Sequence, residues 1–208
     1  MPRLVGDRVV LREFADDDAD LIDAAAADPL IPLITTVPAT GGHEAALAYI
    51  RRQHARLESG IGYSFAIADA ASDRAVGQIG LWIRDLDAGR VTIGYWIAPP
   101  RRCQGYATEA LAILTDWALA LDGVHRVQLY VEPANEGSWR TAERCGYQRE
   151  GLLRSWELVG QERRDMYVYA RTGVGARPTG RLIVVGGLPG TGKTTLAQAL
   201  ARELGAVC

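Results

Sequence analysis

The 208-residue sequence predicts an α+β protein, a mixed and mostly antiparallel sheet flanked by helices. Three observations carry that reading. Apolar residues alternate at Tyr63-Phe65-Ile67, again from Val76 to Ile83, and at Val91-Ile93-Tyr95-Ile97, with short polar turns between them, which is the pattern of a meander. After Gly105 the period changes, and Ala107, Ala110, Leu111, Leu114, Ala118 and Leu121 recur at three- and four-residue intervals, as a helix packed on a sheet requires. Alternation then resumes at Val127-Leu129-Val131 and near Gln148 to Trp156 and Arg163 to Ala170.

In chain order, Asp7 to Phe14 reads as a short strand, and Asp16-Asp17-Asp18 as the cap and acidic first turn of a helix reaching about Ala27. Pro29, Pro32 and Pro38 break the next stretch into a loop. A second helix is expected from His43 to Glu58, with Leu47, Ile50 and Leu57 on its apolar face, ended by Gly60 and Gly62. Ala70 to Asp73 and Asp85 to Gly89 turn the chain between strands, and Pro99-Pro100 stop the third. Asp122-Gly123 closes the long helix. Pro133-Ala134-Asn135 opens a shorter one to about Cys145, with Gly146 as a left-handed cap.

Composition bounds the function. A 48% hydrophobic and 23% charged chain with net charge −2 is an ordinary globular protein, and its charge argues against a broad attraction to nucleic acid. Cys103, Cys145 and Cys208 are too few and too irregular for a disulfide framework or a zinc site, and His43, His54 and His125 lack ligand spacing, so no metal is expected. The N-terminus has no signal-peptide core and no apolar run approaches the ~20 residues of a membrane span. These features lead us to expect a cytoplasmic protein, monomer or homodimer, without a membrane partner.

Two stretches read as phosphate sites. In Arg102-Cys103-Gln104-Gly105-Tyr106-Ala107-Thr108, a basic turn opens the long helix, where first-turn amides lack intrahelical partners and sit at the positive end of the dipole. Gly105 allows close backbone approach and Ala107 adds little bulk. The second stretch, Gly187 to Thr194, follows the apolar run Arg181 to Gly186 and matches a Walker A loop. Gly190 and Gly192 would cradle phosphate, Lys193 (the only lysine of 23 basic residues) would reach the β/γ-phosphates, and the Thr194 hydroxyl would bind Mg²⁺. One strand and one helix cannot form a doubly wound sheet, so residues 181–208 are expected to be an incomplete P-loop fragment. Residues 172–180 would be a linker, and ATP/Mg²⁺ would bind only in a longer form of the chain.

Further motifs are Ile93-Gly94-Tyr95-Trp96-Ile97, Asn135-x-x-Ser138, Cys145-Gly146-Tyr147 and Glu150-Gly151. With Arg102-x-x-Gly105-x-Ala107-Thr108-Glu109-Ala110 they make residues 1–171 resemble the GCN5-related N-acetyltransferase (GNAT) family, most closely the branch of ribosomal-protein alanine N-acetyltransferases. Residues 181–208 resemble the start of a P-loop kinase domain. The first resemblance implies acetyl-CoA as donor and a primary amine as acceptor, either a protein N-terminus or a small molecule. It implies that amides of Cys103, Gln104, Gly105, Tyr106, Ala107 and Thr108, with Arg102, bind the CoA pyrophosphate. Trp96, Ile97 and Ala98 would pair with the pantetheine arm like an added strand, and Asn135 would steady it. An amide near Trp96 to Ile97 would stabilise the oxyanion, and Ser138 would reach the CoA sulfur as donor or acid.

Cys103 departs from the glycine usual in this branch, and binding is expected to survive if the backbone there does not require positive φ. The base is unassigned; Glu44, His43 and a water chain stay open. The loops from Pro29 to Gly42 and Arg84 to Gly89 would line the acceptor side, favouring a cationic amine weakly. A non-catalytic CoA-binding regulatory module of a GNAT/P-loop kinase fusion is the rival reading.

Overall fold

The computed structural model describes residues 1–173. The predicted Walker loop, with Gly190, Gly192, Lys193 and Thr194, lies outside the described residues, as does most of the expected linker. The elements run β1 (Leu4–Val5), β2 (Val9–Arg12), α1 (Ala19–Ala26), α2 (Ile31–Ile34), α3 (His43–Glu58), β3 (Gly62–Asp69), β4 (Ala75–Trp82) and β5 (Arg90–Ile97). They continue with α4 (Tyr106–Leu119), β6 (Arg126–Val131), α5 (Glu136–Arg144), β7 (Gln148–Val159) and β8 (Glu162–Thr172).

The strands form one sheet in the order β1-β2-β3-β4-β5-β6-β8-β7. All neighbours are antiparallel except β5 and β6, which are parallel and share only three register pairs, from Arg90↔Arg126 to Thr92↔Gln128. From Ile93 onward β5 has no ladder on that side, while β6 continues along β8 to Val131↔Tyr167. Two antiparallel sheets are thus joined at a short seam and part beyond it.

Alternation puts the two faces of each strand in different cores. Phe65, Ile67, Ile79, Ile93 and Leu129 meet Ala110, Leu111 and Leu114 of α4, and burying each of those leucines contributes about 1.5–3 kcal/mol. On the other face Ala66 and Trp96 meet Ile22 of α1 and Tyr49 and Ile50 of α3. That second face carries a closed polar cluster. Gln78 Oε1 accepts from Trp96 Nε1 (2.8 Å) and from the Tyr49 hydroxyl, and Gln78 Nε2 donates to Ser64 Oγ at 2.7 Å and Gln53 Oε1 at 3.2 Å. A satisfied network of this kind fixes α3 in register on the sheet.

Three local expectations are corrected. Residues Asp16–Asp18 form a separate 3₁₀ turn, because Asp18 turns its buried carboxylate back to Arg12 (2.7 and 3.0 Å) and the Ala15 amide (2.9 Å) rather than capping α1. The Pro29–Pro38 stretch contains α2, whose start is held by Asp28 Oδ1 accepting from the Leu30 and Ile31 amides at 2.9 Å. On α3 the buried positions are Ala46, Tyr49, Ile50 and Gln53, and Leu57 is 40% exposed, since the polar cluster rather than an aliphatic stripe faces the sheet there. Strand β8 also runs two residues past its predicted end.

Candidate active site

The parting of β5 from β6 opens a cavity of about 780 Å³. Its walls include Ile93 to Trp96 of β5, Leu129 to Val131 of β6, Asn135 and Ser138 at the start of α5, and residues of α2 and α3. Asn135 is the N-cap of α5, its side-chain oxygen accepting from the Ser138 amide at 3.1 Å. The Ser138 hydroxyl lies 3.0 Å from the Tyr95 hydroxyl, which also reaches the Ser138 carbonyl at 3.2 Å. Burial pushes the Tyr95 phenol up to about 12, against a smaller opposing effect of the Ser138 hydrogen bond. At neutral pH Tyr95 is therefore a protonated donor. Its pairing with Ser138 was not anticipated from the sequence, where it appeared only as a strand residue of the Ile93–Ile97 motif; its place in alternation gave no sign of the contact across the seam.

The predicted phosphate turn lies where β5 ends and α4 begins. Among the described residues nothing accepts from the backbone amides of Cys103 to Thr108; the first α4 bond outside the helix ladder is Glu109 N to Gly105 O, 3.1 Å. Two residues of the turn, separated by Gln104, have left-handed backbone: Cys103 at φ +60 and Gly105 at φ +86. The condition placed on Cys103 is thus not met, because the backbone there does require positive φ. A side chain at that φ costs about 1–2 kcal/mol. Cys103→Gly should relieve this cost, raising thermal stability by about 2–8 °C with acetyl-CoA affinity equal or higher, as differential scanning fluorimetry and calorimetry would report.

Arg102 is only partly free to meet a phosphate. Its Nε donates to the Ile97 carbonyl at 3.0 Å and its Nη2 pairs with Asp28 Oδ2 at 2.8 Å. Burial alone would raise the Asp28 pKa, but the Ile31 and Leu30 amides and the Arg102 guanidinium outweigh it and hold the carboxyl below its ordinary value. The arginine is a strut between the turn and the start of α2. A cation that sequence reasoning missed stands at the turn instead: Arg8 Nη1 donates to the Gln104 carbonyl (2.7 Å), and its backbone amide donates to Glu109 Oε1 (2.9 Å). Arg8 is 96 residues from Gln104 in sequence, so only the fold brings them together.

Tyr106 is buried, and its hydroxyl donates to Asp69 Oδ2 at 2.6 Å. This bond first, then those from Ser72, holds the Asp69 carboxyl down at about 2. A carboxylate with a depressed folded pKa favours the fold above its unfolded value, and that contribution is lost as pH falls from about 4 toward 2. Carboxyl NMR titration should find Asp69 ionised at pH 3, and Tyr106→Phe should return its midpoint toward the ordinary range.

Trp96, Asn135 and Ser138 share one cavity; Ile97, Ala98 and residues 102–108 stand beyond its lining, at the end of β5. His43 and Glu44 are exposed at the start of α3 and do not line it, so neither is positioned as a base. Of the acceptor-side loops, Leu30, Leu33 to Thr36 and Arg84 do line it, but Asp85 and Asp87 do not. Cys145 is buried with Sγ 3.2 Å from the Thr108 carbonyl, and burial raises its pKa to about 11, which leaves an inert thiol. Among the described residues no helix is long and apolar enough to cross a membrane.

The parted parallel strand pair thus ends in a helix-opening turn whose amides have no acceptor among the described residues. The acetyltransferase (GNAT) domain family matches residues 8–148. An uncharacterised N-acetyltransferase, p20 of Bacillus licheniformis, is 26% identical over 170 residues, 82% of this chain and 96% of that protein. Among solved structures, Mycobacterium smegmatis RimJ in complex with CoA-disulfide superposes with TM-score 0.71 at 23% identity, covering 95% of this chain and 94% of that one. The microcin C7 self-immunity acetyltransferase MccE, in complex with acetyl-CoA and AMP, gives TM-score 0.69 at 19% identity, covering 81% and 94%. The chain belongs to the GNAT acetyltransferase family and is an acetyl-CoA-dependent N-acetyltransferase.

Proposed function

We propose that this enzyme transfers acetyl from acetyl-CoA to a primary amine, of a protein N-terminus or a small molecule, by direct attack on the thioester. The observation that carries the reading is the parting of β5 from β6 after Thr92, which leaves the β6-side edge of Ile93 to Trp96 without a strand partner, in the cavity that Asn135 and Ser138 also line. Backbone in that state can pair with the amides of a pantetheine arm as if with another strand. The free amides of Cys103 to Ala107, with Arg8 beside them, suit the pyrophosphate, and the side-chain amide nitrogen of Asn135 suits the arm. An amide of Trp96 or Ile97 is the proposed oxyanion donor. The amine lone pair forms the new C–N bond and the surplus proton of the resulting ammonium passes to water; the C–S bond breaks, and Ser138 hands the departing sulfur a proton that Tyr95 returns to Ser138 and itself recovers from solvent. The pairing supplies what a serine hydroxyl alone lacks, since serine by itself is a poor acid.

The test is thiol release from acetyl-CoA across a panel of N-terminal peptides and small primary amines, with mass spectrometry of the products. Acetylated amine on any panel member supports the assignment. Tight CoA binding with no turnover on any amine would instead mark a CoA-sensing module.

A further inference from the structure

The proposed chemistry leaves three cationic side chains of the same cavity unused: Arg52 and Arg56 from α3, and Arg84 from the turn after β4. The sheet is shaped to receive one of them. Gly80 of β4 and Gly94 of β5 are register partners, and a Cβ on either would come within 3.1 Å of the Trp82 ring. The indole lies on this glycine floor, and the Arg56 guanidinium stacks over it, 5.2 Å from the ring. A Cβ at Gly80 would also stand 3.4 Å from Arg56 Nη1.

Arg56 is held in place but not neutralised. Its Nη1 is fully covered and has no acceptor among the described residues, and its Nη2 reaches only Thr36 Oγ1 at 3.5 Å. Arg52 donates to the Thr36 carbonyl at 3.2 Å. Among the described residues none of these three arginines forms an ion pair, whereas the half-buried Arg12 has Asp18 and Asp73 and the strut Arg102 has Asp28. Burial, joined by the charges of Arg84 and Arg52 and opposed by Tyr49, lowers the Arg56 pKa. The face of a tryptophan attracts a cation but does not cancel a desolvated charge. The cavity's carboxylates are Glu132, just past the end of β6, and Glu157 of β7, and Glu132 already pairs with Arg164 at 3.4 Å.

We infer that the acceptor amine carries an anionic group, a carboxylate or phosphate, that docks against Arg56 and is reached by Arg52 and Arg84. Leu33 and Ile34 of α2, both exposed, line the same cavity and suit an apolar stem between anion and amine. The inference rests on the acetyltransferase reading and reverses the weak preference for a cationic acceptor, because the acidic loop residues Asp85 and Asp87 stay outside the cavity.

The experiment uses the full chain and matched acceptors that differ in one anionic group: 4-aminobutyrate against its amide, O-phosphoethanolamine against ethanolamine, and an alanine-started dipeptide against its C-terminal amide. Thiol release and calorimetric binding to the CoA-saturated enzyme are read at fixed ionic strength. We expect the anionic member of at least one pair to be favoured by about tenfold or more, as a charge-assisted hydrogen bond implies. Arg56→Gln, or Arg84→Ala at the exposed rim, should bring that ratio close to one with acetyl-CoA affinity unchanged. Equal use of both members, a preference that survives both substitutions, or no binding of any anionic member overturns the inference. Turnover of the neutral amines then shows whether the acetyltransferase reading stands without it; loss of acetyl-CoA binding itself would count against that reading.

Discussion

Replacing Gly105 by glutamate is expected to weaken acetyl-CoA binding by about 30-fold or more while the chain still unfolds cooperatively. Two effects act together. At φ +86 any side chain is strained, which costs about 1–2 kcal/mol and lowers the melting temperature by roughly 2–8 °C. The substitution also sets a carboxylate at the positive end of α4, where the free amides and Arg8 would compete for it against the donor's pyrophosphate. Space is not the obstacle, since the nearest atoms to a Cβ there belong to Arg8 at 3.8 Å. Gly105→Ala carries the strain without the charge and serves as the control. If glutamate and alanine bind acetyl-CoA equally well by calorimetry, the turn is not the pyrophosphate site.

Tyr95→Phe and Ser138→Ala should each slow transfer by about 10²-fold, with little change in acetyl-CoA affinity. The two hydroxyls lie 3.0 Å apart and would act as one unit, so the double variant should be no slower than the worse single one. With Tyr95 pushed up to about 12, its ionisation should leave no limb in the pH–rate profile below about pH 11. Multiplicative losses in the double variant would mean that the residues work apart, and a fall in affinity alone would reduce Ser138 to a structural residue of the first turn of α5.

Much of the frame was legible from residue order. The alternation of Tyr63 to Ile67 and Val91 to Ile97, the change of period after Gly105, and the cap at Gly146 each reflect local chemistry, and the structure has a strand, a strand, a helix and a left-handed glycine there. Asp18 and Leu57 were misread because a distant partner overrides local preference: Arg12 claims the first, and the Gln78 cluster takes the face on which the second would have packed. The same reason hid Arg8, Tyr95 and Arg56. Each is ordinary in its own segment and acquires meaning only across the sheet, through Gln104, Ser138 and Trp82.

The seam between β5 and β6 has a mechanical consequence. The two antiparallel sets of strands meet through three residue pairs, so beyond Thr92 no ladder fixes the width of the cleft, which the core against α4 must set instead. A ligand that pairs with Ile93 to Ile97 on one side and Asn135 on the other acts as a cross-brace. Filling the cleft then shifts stability by mass action, about 2.7 kcal/mol at a hundredfold excess over the dissociation constant.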